Sequence, residues 1–110
     1  MTDLEITTLC AEAMGYVIAS DGKATNLVLM VEIPHHAMLP RYAEQYDPLH
    51  DDAQAMALVK KLKISVAYLQ DYVSGDFFWY CNHQMNSQTR SPDLNRAICE
   101  CVAKMENARP

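Results

Sequence analysis

A helix near the C-terminus sets the terms for the rest of the chain. Leu94, Ala97, Ile98, Cys101, Val102 and Met105 stand at i, i+3, i+4, i+7, i+8 and i+11, which places all six on one helical face. The residues before them read as a start signal: Ser91 as N-cap, Pro92 at the first helical position, Asp93 in the first turn. A helix with one apolar stripe is stable only when that stripe is covered. Phe77-Phe78-Trp79-Tyr80-Cys81-Asn82, the most aromatic run of the chain, reads as a central strand. Both its faces need cover, so helices are expected to pack on a sheet.

The remaining elements follow from local signals. A first helix is expected over Asp3–Met14, opened by the Thr2/Glu5 capping-box pattern and closed by Gly15 in the left-handed C-cap position. Tyr16–Ser20 and Leu27–Ile33 read as strands, with Asp21-Gly22 as a turn dipeptide between them and Pro34 ending the second. Residues 34–46 read as a long irregular loop, a class of segment that is commonly functional. A second helix is expected over Asp51–Lys61, with acids at its positive end and Lys60, Lys61 and Lys63 at the other. Ile64–Leu69 alternates as a strand, Ser74-Gly75-Asp76 makes a turn, and His83–Arg90 reads as a polar loop. The chain is therefore expected to form a single α+β domain over residues 1–110, in the order α-β-β-α-β-β-α, with a small antiparallel sheet packed by three helices in a sandwich-like layering.

Composition narrows the function. The net charge of −5 is unlike that of a general nucleic-acid binder, which needs clustered Lys and Arg. The charge is also uneven: residues 1–52 carry a net −7 and residues 53–110 a net +2. No apolar run reaches the roughly 18 residues of a membrane span. The opening Met1-Thr2-Asp3-Leu4-Glu5 is acidic where a signal peptide is basic, so a reducing cytosol is expected for Cys10, Cys81, Cys99 and Cys101.

Residues capable of chemistry are present but not arranged for it. His35 and His36 are adjacent and cannot easily share one metal in an extended segment. Cys81 and His83 share a strand face, but no Cys-x-x-Cys pair accompanies them, and Cys99 and Cys101 point about 200° apart on a helix. As a nucleophile–base pair, Cys81 and His83 are roughly 7 Å apart at Cα, with no third group to orient them. No Gly-x-Ser-x-Gly elbow occurs, and Asp47, Asp51 and Asp52 lack the glycine and later glutamate of a calcium loop. No catalytic residue, metal site or cofactor is expected. The aromatic strand lacks the basic flanks of a base-stacking platform.

The segment Tyr46-Asp47-Pro48-Leu49-His50-Asp51-Asp52, opening the Ala/Leu helix that runs to Leu62, resembles a recurring pattern in small phage and prophage proteins of the phage ABA-sandwich and NinX-like group. The Arg96-Ala97-Ile98 run in the last helix matches the same pattern, and the resemblance covers Tyr46–Met105 plus a first helix ending at Met14-Gly15. Two departures stand out: Ala53 where glycine is common after the Asp pair, and an expanded stretch over residues 23–45. The resemblance implies a sheet between helices and an accessory role in the cytoplasm of a bacterial host.

These readings point to a non-enzymatic protein that binds a host protein or nucleoprotein complex with a basic surface, most concretely an anti-CRISPR or other anti-defence inhibitor. Direct nucleic-acid or membrane binding is not expected. The candidate contact residues are His35, His36, Arg41, Tyr42, Glu44, Tyr46, Asp47, Asp51 and Asp52. Two alternatives stand beside this. One is a structural or regulatory homo-oligomer, such as a homodimer paired through an exposed edge at Leu27–Ile33. The other is a small metal-binding or cysteine enzyme.

Overall fold

A computed structural model describes residues 1–20, 29–33, 42–84 and 87–108. Three helices and two three-stranded antiparallel sheets alternate along the described chain: α1 (Asp3–Met14), β1 (Val17–Ser20), β2 (Leu29–Ile33), β3 (Tyr42–Tyr46), α2 (Asp52–Leu62), β4 (Ser65–Gln70), β5 (Phe77–His83), β6 (Ser87–Ser91) and α3 (Leu94–Asn107). The class is α+β, as the sequence indicates, but each predicted hairpin carries a third strand.

Helix α1 begins and ends where its caps dictate. The Thr2 hydroxyl accepts from Glu5 N at 3.1 Å, and Gly15 at φ 76° lets its N–H reach the carbonyls of Ala11 and Glu12. At the end of α2, Lys63 takes the left-handed conformation and its N–H bonds Val59 O, while Lys61 Nζ donates to Met14 O at 2.7 Å and joins the ends of α1 and α2.

The first sheet has the order β1-β2-β3. Its third strand, β3, arises from the stretch read as loop, and it pairs Tyr46 with Leu29 and Tyr42 with Ile33. Strand β2 is thereby paired on both sides. The expected dimer edge at Leu27–Ile33 is therefore corrected: Leu29–Ile33 is a central strand with no edge to offer a second copy. Leu27, and the Asp21-Gly22 turn, lie outside the described residues.

The second sheet has the order β4-β5-β6, and β5 is central as its aromatic sequence predicts. Strand β6 replaces most of the expected polar loop. Its side chains alternate buried and exposed, with Ser87, Thr89 and Ser91 turned inward. These small hydroxyls are buried because the helix answers them: Ser87 Oγ donates to Cys101 O at 2.8 Å and Thr89 Oγ1 to Ala97 O at 2.6 Å. The start of α3 moves accordingly. Ser91 is the last residue of β6, opposite Trp79, and its hydroxyl accepts from Asp93 N, so Asp93 is the N-cap in place of Ser91.

Helix α3 is the hub of the core. It packs against α1, α2, β5 and β6, and Ala97, Ile98, Cys99, Cys101, Val102 and Ala103 are all buried. Ile6, Cys10, Leu58, Tyr46, Leu49 and Cys81 complete the cluster around it. No helix among the described residues is long and apolar enough to cross a membrane.

Candidate functional site

The segment Tyr46–Asp52 divides its residues by alternating anchor and display. Tyr46, Pro48 and Leu49 are buried, and they fix the backbone on the core. Asp47, His50, Asp51 and Asp52 face outward to differing degrees, with the His50 side chain 76% and the Asp47 side chain 37% exposed. Asp47 O accepts from both His50 N and Asp51 N, which closes the turn before α2.

Each carboxylate is held from within the chain. Asp51, the N-cap, accepts from Gln54 N at 3.0 Å through Oδ1. Asp52 Oδ1 accepts from Asn95 Nδ2 at 2.8 Å, tying the start of α2 to the start of α3. Asp47 Oδ2 lies 2.9 Å from His50 Nδ1. Every one of these bonds uses a single carboxylate oxygen. Among the described residues, no Lys or Arg pairs with any of the three.

Two supporting residues escaped the sequence reading. Gln54 Oε1 accepts from Asp47 N at 2.7 Å while its Nε2 donates to Gln45 O at 3.0 Å, so one amide braces the whole turn. The available signal was Asp51-Ala53-Gln54 spacing: Asp51 and Gln54 stand in capping-box positions, although Gln54 reaches past the cap to the preceding turn. Asn95 had no local signal, because its partner Asp52 is remote in sequence.

The other predicted contact residues fare differently. Tyr42 and Glu44 lie on β3, opposite Ile33 and Val31. Tyr46 is 2% exposed, so it belongs to the core and supports the displayed carboxylates from beneath. Its ring meets Tyr16 edge-on, with centroids 5.5 Å apart. His35, His36 and Arg41 lie outside the described residues.

The cysteines are placed against catalysis. All four are free and fully buried. Burial pushes the Cys81 thiol up to about 12, and Cys101 and Cys99 add to the effect. The Cys99 thiol is raised first by its hydrogen bond with Cys10 and then by burial, and Cys101 is raised by burial. Thiols in this state are poor nucleophiles at neutral pH. Among the described residues, no group of three or more His, Cys, Asp and Glu stands close enough to hold a metal. A depression of about 520 Å³ near the β4–β5 turn, lined in part by Asp71, Asp76, Phe78 and Arg90, has Arg90 over the Phe78 ring at 4.9 Å, and Asp71 Oδ1 taken up by the amides of Val73 and Ser74.

No protein-family model matches this chain, and no curated protein or solved structure shows significant similarity to it.

Proposed function

We propose that this protein works by binding another protein through the acidic turn that opens α2, without catalysing a reaction. The observation that carries this reading is the set of half-engaged carboxylates at Asp47, Asp51 and Asp52, each pinned by one oxygen. Pinning lowers the entropy lost when a partner's lysine or arginine binds, so a preset acidic surface gains affinity from its own scaffold. The buried, unactivated thiols support the non-enzymatic part of the reading.

The partner is then a host protein or nucleoprotein complex with a basic surface. Direct phosphate binding is disfavoured, because these carboxylates repel it. Such an acidic turn can occupy a basic nucleic-acid channel, and with the phage-like motif at Tyr46–Asp52 the most concrete form is an anti-CRISPR or other anti-defence inhibitor acting in the bacterial cytoplasm. Capture of purified host nucleoprotein complexes by the wild type and by a variant with Asp47, Asp51 and Asp52 changed to Lys tests it. Loss of capture by the variant is the expected result, and undiminished capture refutes the acidic surface.

A further inference from the structure

Strand β4 is an edge strand without the usual protection. Its sequence, Ser65-Val66-Ala67-Tyr68-Leu69-Gln70, contains no charge, no proline and no glycine, and among the described residues it pairs in unbroken register with β5 on one side only. Edge strands of this kind are normally blunted by charges, bulges or cover. The opposite edge of the same sheet is blunted in that way: β6 carries Arg90, and Lys104 Nζ donates to Gln88 O at 3.0 Å.

The face of β4 that shares the α3 side of the sheet is apolar and open. Tyr68 is 56% and Val66 37% exposed. The Tyr68 ring stacks on Phe77 with centroids 5.3 Å apart and meets Trp79 at 4.6 Å. Helix α3 covers β5 and β6 and stops short of this strip.

We propose that β4 pairs antiparallel with β4 of a second copy of this chain, about a two-fold axis at Ala67. The sequence is complementary to itself in that register. Val66 falls opposite the partner's Tyr68 and Ser65 opposite the partner's Leu69. The seam is uncharged from end to end, and Ala67, the smallest apolar side chain of the strand, sits where the two copies come closest. An axis normal to the sheet keeps like faces together, so each Tyr68–Phe77–Trp79 cluster gains a neighbouring Val66 and the product is a continuous six-stranded sheet. The β4–β5 tip, with Tyr72 and Val73 fully exposed, reaches toward the last turn of the partner's α2. The acidic turn lies at the far end of α2 from β4 and stays open, so the dimer presents it twice.

Cross-linking tests the register directly, because the native cysteines are buried and stay out of the reaction. In Ala67→Cys the two new thiols face each other at a Cα separation within the roughly 4.4–6.8 Å of a disulfide. Mild oxidation is expected to convert this variant to a covalent dimer, whereas Ser65→Cys, displaced from its own copy, stays unlinked. Sedimentation of the wild type is expected to give twice the chain mass at high concentration. Val66→Glu is expected to weaken that association about tenfold by setting a charge into the apolar seam, with an unchanged circular dichroism spectrum. A wild type that stays monomeric at every concentration overturns the proposal. So does equal cross-linking of Ser65→Cys and Ala67→Cys, or a strand taken up from some other protein at β4.

Discussion

Thr89 Oγ1 donates to the carbonyl oxygen of Ala97 at 2.6 Å, a bond that fastens an edge strand to the central helix of the core. Ser87 repeats it one helical turn further on, at Cys101. The hydroxyl face of β6 therefore does what aliphatic side chains do elsewhere, at closer approach. Thr89→Val keeps the shape and removes the donor, and it is expected to cost about 1 kcal/mol, the net value of a typical hydrogen bond. Ser87→Ala is expected to cost a similar amount. Urea denaturation of the two single variants and the double variant measures both terms and their coupling.

Tyr46 makes the opposite case. Its hydroxyl is buried and has no hydrogen-bond partner among the described residues, while its ring packs edge-on against Tyr16. Burial, with Cys10 and Cys99 close by, pushes its ionisation well above the usual phenol range. Tyr46→Phe removes an unsatisfied polar atom and keeps the ring, so its stability is expected to equal or exceed the wild type by up to about 1 kcal/mol. Tyr46→Ala is expected to cost about 3–5 kcal/mol, as aromatic deletions from cores do. Thermal unfolding of both variants separates the hydroxyl from the ring.

The buried thiols give the fold an alkaline limit. Cys81 ionises near 9 when unfolded and is pushed up to about 12 in the fold, so between those values the folded chain holds a proton that the unfolded chain releases. Stability contributed by this group is complete below pH 9 and is lost as pH rises toward 12. Cys99 and Cys101 act in the same direction. Stability is expected to fall above pH 9 with a slope of about 1.4 kcal/mol per pH unit for each thiol that titrates. Urea titrations across the alkaline range check this, and Cys81→Ala is expected to show a shallower slope. At neutral pH a thiol reagent is expected to label all four cysteines only after denaturation.

Local rules were sufficient where the structure is decided locally. Thr2 and Gly15 bracket α1, and the aromatic run at Phe77 fixes a central strand. The two strands that a sequence reading misses are both decided by remote partners. Ser87, Thr89 and Ser91 look like loop residues until α3 supplies acceptors for the first two. Tyr42–Tyr46 is a polar stretch whose pairing depends on β2. Within the acidic site, Asp51 was legible as a helix start, whereas Gln54 and Asn95 act through contacts that sequence spacing does not specify. Tyr46 and Leu49, on either side of the stiff Pro48, read as residues that pack the segment onto the core, and both are buried; it is the strand ending at Tyr46 that reads as loop.

The caps on α2 also determine how the site can be neutralised cleanly. Asparagine caps a helix about as well as aspartate, so Asp51→Asn is expected to keep the bond from Gln54 N, whereas Asp51→Ala is expected to cost about 1 kcal/mol. Asp52→Asn likewise keeps an acceptor for Asn95. Thermal unfolding of Asp51→Asn and Asp51→Ala distinguishes the cap from the charge.

The most direct measurement is therefore the affinity of a captured basic partner for the wild type and for the triple variant Asp47→Asn, Asp51→Asn, Asp52→Asn, with the Tm of both chains. The account predicts binding weakened at least about tenfold, equivalent to roughly 1.4 kcal/mol, with little change in Tm. Equal affinity at equal Tm would contradict it, because the three carboxylates would then serve the fold alone.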